Sequence, residues 1–234
     1  MNMDWLAIIL SLKLAALTTL ILLLVGMPIA WWLAASKRRW KFLIEAVVAL
    51  PLVLPPTVLG FYLLLAMGPK SPLGRFYESI ASHGLAFSFQ GLLLASVLYS
   101  LPFTVQPLAT AFSAVEPKLV EASWCLGESK LATFFRVVLP LSWSGVLTGA
   151  ILSFAHTMGE FGVVLMVGGN IPGATRTASI SIYDAMQSLD YAAAGKTSLL
   201  LLVLSFAVLT VTYSLHRNLA MLWPGRSTSH PRQG

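Results

Sequence analysis

Residues Ala114 to Pro140 read AVEPKLVEASWCLGESKLATFFRVVLP, a polar island set between two long apolar stretches. Pro117 suits the first turn of a helix. Leu119, Val120, Ser123, Trp124 and Leu126 follow at spacings of three and four, which predicts an amphipathic helix of about three turns. Gly127 ends or bends it, because glycine tolerates the backbone angles of a helix C-terminus. A second short helix is expected with Leu131, Phe134, Phe135 and Val138 as its apolar set, and Pro140 marks the start of the next apolar span. The picture is a helix–turn–helix at a membrane face. Trp124 and the phenylalanines sit in the interface, while Glu121, Glu128, Lys118 and Lys130 meet water or a partner. The residues alone leave two readings open, a handle for a partner and a plain connector between spans.

The composition around the island fixes the solvent. Hydrophobic residues make up 57% of the 234 and charged residues 10%, with a mean hydropathy of +0.80. Soluble domains carry about 25% charged residues, so an all-α integral membrane protein is expected. About 20 apolar residues cross a bilayer core, and five spans meet that ruler: Leu6–Leu33, Phe42–Met67, Leu85–Phe112, Leu141–Val167 and Thr197–Leu215. They make up a transmembrane domain over residues 5–218, and residues 219–234 read as a disordered cytoplasmic tail. Residues 1–4 lack a basic n-region and the following apolar run exceeds about 7–15 residues, so no removable signal peptide is expected.

Basic residues set the orientation. Lys37, Arg38, Arg39, Lys41, Lys118, Lys130, Arg136, Arg217, Arg226 and Arg232 fall on one side of the five spans, and Lys70, Arg75, Arg176 and Lys196 on the other. The positive-inside rule puts the first group in the cytoplasm. The N-terminus is then outside, the C-terminus inside and the polar island cytoplasmic. The net charge of +6 clusters at span ends in this way, which argues against nucleic acid as a partner. The single Cys125 excludes an internal disulfide or a cysteine metal cluster and reads as a small buried apolar residue.

Irregular features lie within the spans. Pro51, Pro55 and Pro56 interrupt span two, while Pro28 and Pro102 lie in spans one and three. Carbonyls freed by proline are tolerated in lipid only against protein or a water-filled cavity. Leu50–Pro56 is therefore expected as broken helix facing protein, against the plainer reading of a packing kink. Glu160 lies deep in span four, where a charge costs about 2.5–3.5 kcal/mol on insertion scales. His156 precedes it by four residues, so both would project from one helical face. A structural network, a group lining or gating a path, and a proton relay or metal site all remain open, although two ligands are few for a metal. Lys13 is expected to snorkel to the outer interface. Ala178–Leu189 reads as a short external, partly immersed helix with Ile182, Met186 and Leu189 on one face.

Glu121-Ala122-Ser123, three residues, Gly127, nine residues, Val137, one residue and Leu139-Pro140 resemble the EAA loop of bacterial ABC importer membrane subunits; Ser123 and Val137 replace the family's alanine and isoleucine. Leu50–Gly60, Gly159-Glu160-Phe161-Gly162 and Gly169–Thr177 are similar to segments of the molybdate permeases, and the likeness covers about residues 5–218. It implies a type I importer permease fold and a coupling role for Glu121, Ala122, Ser123, Gly127, Leu139 and Pro140 toward an ATPase. It also implies a translocation path or gate near Pro55, Pro56, Gly159, Glu160 and Gly162. Asn170, Pro172 and Arg176 become candidates for docking a binding protein, against the alternative of a solvated loop. An oxyanion would be repelled by a charged Glu160, so a structural or gating role is expected there. His156 departs from the arginine common in molybdate permeases, which leaves charge pairing at that point open.

The chain has no G-x-x-x-x-G-K-[ST] phosphate loop. ATP and Mg are therefore expected on separate ATPase subunits, with no catalytic residue, cofactor or metal in this chain. The resemblance implies a second copy of the chain, two cytoplasmic ATPases, an external molybdate-binding protein and membrane lipid as partners, in a bacterial cytoplasmic (inner) membrane. Sulfate, thiosulfate and tungstate are the near alternatives to molybdate. A gradient-driven transporter is the distant one, and it would need coupling-ion ligands or inverted repeats.

Overall fold

Inside lipid a backbone must satisfy its own hydrogen bonds, so long apolar runs become helix. The computed structural model describes residues 4–222, and every regular element in them is helical. Helix α1 spans Trp5–Ala35, its first turn capped by the Asp4 carboxylate, which accepts from the Ala7 N–H at 3.1 Å. The chain continues as α2 (Lys41–Val53), α3 (Pro56–Met67), α4 (Pro72–Ala81) and α5 (Phe89–Ser113). The island holds α6 (Pro117–Cys125), α7 (Lys130–Thr133), a π-helical turn (Phe134–Val138) and α8 (Leu139–Leu141). Then come α9 (Trp143–Gly159), α10 (Gly162–Gly168), α11 (Ala178–Gln187) and α12 (Tyr191–Leu222).

Helices α1, α5 and α9 pack on one another as the central layer. One core joins Ala30, Leu33, Val105, Leu108, Phe112 and Val146. A second joins Met67 of α3 with Ala95 of α5 and Val163 and Val167 of α10. A third sets Leu14 of α1 against Leu92, Val164 and Ile180. Three described helices are long and apolar enough to cross a membrane alone, Trp5–Ala35, Phe89–Ser113 and Tyr191–Thr210, and two bent pairs raise the number to five.

Span two breaks where its prolines lie, α2 and α3 meeting at 111°. The broken segment does not face protein within the chain, however: Leu50, Leu52 and Val53 are exposed, Val53 at 82%. Span four is not one helix either. It stops at Gly159 and restarts at Gly162, because two glycines flank Glu160 and weaken helix propagation there. The last span starts earlier than expected and runs on to Leu222, so residues 219–222 are helical rather than tail. The rest of the expected tail, 223–234, lies outside the described residues.

Three smaller features follow from packing. Ser71 accepts from the Gly74 N–H and Pro72 takes the first turn, which starts α4, a helix not expected from the sequence. Helix α11 docks by its first turn, the Ala178 N–H donating to Ser11 Oγ of α1 at 2.8 Å. Ala178 and Ile180 are therefore buried, while Met186 and Leu189 are exposed. Cys125 is exposed instead of buried, since α6 turns only its Ser123 side inward.

Candidate functional site

The polar island folds as two arms about a glycine. The Gly127 N–H donates to the Trp124 carbonyl (2.9 Å) and the Glu128 N–H to the Ser123 carbonyl (3.2 Å). That hydrogen-bond pair closes a helix C-terminus around a left-handed residue, and Gly127 has φ +85°. Ser129 starts the second arm by accepting from the Ala132 N–H. Across the arms, Ser123 Oγ lies 3.0 Å from Thr133 Oγ1, both groups buried. Arg136 pairs with Glu128 in the open.

The second arm is pinned to the bundle by Phe134. Its ring lies 4.7 Å from Trp31 of α1 and 5.5 Å from Phe112 of α5, and it is buried. Phe134 is thus core, while Trp124 and Phe135 are exposed as expected. After Pro140 the chain turns by 76° into α9. The turn falls at Ser142, just beyond the expected Leu139-Pro140 position, and Ser142 Oγ donates to the Ala111 carbonyl at 3.1 Å. The first arm points its apolar groups outward. Leu119 and Trp124 are nearly half exposed and Leu126 is 84% exposed, with Glu121 and Ala122 beside them, also exposed.

A second cluster forms where the two broken spans meet. Glu160 is extended (φ −67°, ψ 133°), so its buried carboxylate reaches forward. Its Oε1 accepts from the Val163 N–H at 2.8 Å, in the manner of a helix cap at the start of α10. Its carbonyl accepts from Ser179 Oγ of α11. Pro56 opens α3 directly against Gly162: a Cβ there would sit 2.7 Å from Pro56 Cβ. Pro56, Glu160 and Gly162 therefore meet at one junction, with Pro55 and Gly159 exposed at its edge.

His156 and Glu160 do not share a helical face as expected, because the helix ends between them. The His156 ring stacks on Phe103 with centroids 4.0 Å apart, and its Nδ1 is 2.9 Å from Ser100 Oγ. Ser100 Oγ also lies 3.0 Å from Thr157 Oγ1. Among the described residues no three His, Cys, Asp or Glu side chains gather as a metal site.

The third set of expected residues forms a closed network. Arg176 Nε donates to Asn170 Oδ1 at 2.6 Å, and its guanidinium lies 3.3 Å from Asp184 and 3.7 Å from Asp4. Asn170 Nδ2 donates to Asp184 Oδ1 at 3.1 Å. Pro172 stays exposed and outside this network. Sequence reasoning missed Thr133, Ser100, Ser11 and the partners Asp4 and Asp184, all brought to the groups they bind only by folding.

Residues 26–221 match the family described as binding-protein-dependent transport system inner membrane components. The molybdenum transport system permease protein ModB of Azotobacter vinelandii is 53% identical over 214 residues, 92% of this chain and 95% of its own. The probable sulfate transport system permease protein cysT of Prototheca wickerhamii is 31% identical over 199 residues, 85% of this chain and 78% of its own. In fold, the chain is similar to one from the crystal structure of a bacterial alginate ABC transporter in complex with an alginate pentasaccharide-bound periplasmic protein. The TM-score is 0.73 at 14% identity, covering 92% of this chain and 78% of that one.

Proposed function

The chain belongs to the binding-protein-dependent transport system inner membrane components, and from that membership we propose that it is the membrane permease subunit of an ATP-driven molybdate importer. The observation that carries the reading is the two-armed loop, folded by its own hydrogen bonds while Leu119, Trp124 and Leu126 stay uncovered. An ATPase subunit seated on α6 would cover these side chains, with Glu121 and Ala122 at the contact and the Gly127 turn fixing its edge. The basic residues put this loop in the cytoplasm. The N-terminus is then outside and the C-terminus inside.

Two copies of the chain pair along the exposed apolar face of α2 and α3, and the Pro56–Gly162 junction lies beside that face as a gate. Two ATPase subunits hydrolyse ATP with Mg, and their closing moves both loops and swings the permease pair between inward-facing and outward-facing forms. A periplasmic binding protein delivers the oxyanion. The substrate follows the relatives: 53% identity to a molybdenum permease stands against 31% to a sulfate permease. The test is reconstitution with the cognate ATPase and binding protein, measuring molybdate and sulfate uptake. ATP-dependent molybdate uptake is expected. Uptake without the ATPase would overturn the mechanism, and a preference for sulfate only the substrate.

A further inference from the structure

We infer that the Ser123–Thr133 hydroxyl pair is a latch that makes the two arms of the loop move as one lever, with both residues acting as positioning residues for coupling. The inference rests on the proposed docking of an ATPase on α6. A displacement of α6 can reach the bundle by few routes. One covalent route runs back through Ala114–Glu116 into α5 and anchors the N-terminal end of α6; the other runs through Gly127, whose added Cβ would meet nothing within 4 Å. The Glu128–Arg136 pair also crosses the arms, but the Arg136 side chain is 71% exposed, and exposed pairs hold little. Val120 adds a half-buried apolar contact to the main core.

The latch differs from these in being dry and direct. Ser123 is 7% exposed and Thr133 is 2% exposed, and their oxygens are 3.0 Å apart. Thr133 is followed by Phe134, the ring wedged against Trp31 of α1 and Phe112 of α5. The shortest side-chain path from α6 to the two central helices therefore runs from Ser123 to Thr133 and on through Phe134. Without the latch, α6 can still be held by its partner, but its Gly127 end can swing about the α5 junction before the second arm feels it. Hydrolysis would continue while less of each stroke reached α1 and α5.

The test compares Ser123→Ala, Thr133→Val and the swapped pair Ser123→Thr with Thr133→Ser in the reconstituted complex. Thr133→Val, outside the docking residues, should co-purify with the ATPase at the wild-type ratio and keep its hydrolysis rate. Molybdate imported per ATP should fall by roughly two- to tenfold, the population shift that loss of one such hydrogen bond produces, and the swapped pair should restore it. Spin labels at Lys118→Cys and Lys130→Cys in a Cys125→Ser background should show a broader inter-arm distance distribution in Ser123→Ala. An unchanged ratio of transport to hydrolysis, or an unbroadened distribution, overturns the latch. Loss of co-purification in wild type and variants alike would instead overturn the docking reading beneath it.

Discussion

The Ala114–Ser142 loop and the cap from Gly159 to Asp184 both attract the eye as docking surfaces, yet they use their polar groups in opposite ways. In the cap, Arg176 binds Asn170, Asp184 and Asp4, Glu160 binds the start of α10, and Thr175 Oγ1 donates to the Gly168 carbonyl at 2.6 Å. Its polar side chains are turned on one another. In the loop the backbone is satisfied, but Leu119, Trp124, Leu126 and Leu131 lie uncovered beside Glu121. The cap is satisfied in its polar groups and holds its own shape, although Ile171 and Tyr183 are exposed on it. The loop is folded yet leaves its exposed apolar groups to be covered by something outside the chain. On the proposed docking of an ATPase, the contrast makes the loop the interface to test first, while Asn170 and Arg176 hold each other and Asp184 in place.

The strongest way to break that contrast is to spoil the loop. Glu121→Arg puts the wrong charge on the exposed face of α6, and Gly127→Val forces a β-branched residue into φ +85°. Each should abolish co-purification with the ATPase while the chain still inserts in the membrane. Normal association of either variant would mean that α6 is not the contact. Next in size is Gly162→Leu, whose Cβ meets Pro56 at 2.7 Å. Overpacking of this kind costs about 1–3 kcal/mol, so uptake should fall sharply with ATPase association intact. Full uptake would show that α3 and α10 can part freely.

Arg176→Ala probes the cap. The arginine has three partners and its side chain is 22% exposed, so their loss should destabilise the permease by about 1–3 kcal/mol, seen as a lower midpoint in thermal unfolding in detergent. Stimulation of hydrolysis by the binding protein should persist at a temperature where the variant is folded. If stimulation vanishes while the midpoint stays put, the cap is an interface and the contrast with the loop fails.

The same contrast explains what was legible in the sequence. Apolar length located four of the five apolar runs to within a few residues and missed both ends of the last, and the Glu121–Pro140 spacing located the loop, because both depend on local residue order. Gly127 was readable because its conformation demands glycine. Partners far along the chain were not readable: Ser11 with Ala178 and Asp4 with Arg176 are set by tertiary packing, and Ser123 meets Thr133 only once the loop folds back on itself. The break at Glu160 had a visible signal in its flanking glycines, yet the apolar run around it reads equally well as one helix. Ile182, Met186 and Leu189 share a period, but the period does not say what buries the helix: α11 is held by its first turn, through Ala178 and Ile180.

The finest test separates charge from geometry at Glu160. Its carboxylate accepts from the Val163 N–H, and a glutamine carbonyl can accept in the same place. Removing the charge inside the span also lowers the cost of burying it. Glu160→Gln should therefore keep the molybdate uptake rate within about twofold. Glu160→Ala leaves the start of α10 uncapped, a loss of about 1 kcal/mol, and should lower uptake more than the glutamine does. A structural cap predicts this order of effects. A change of substrate preference in Glu160→Gln would place the carboxylate on the path instead, and the cap could no longer be described as a surface turned only on itself.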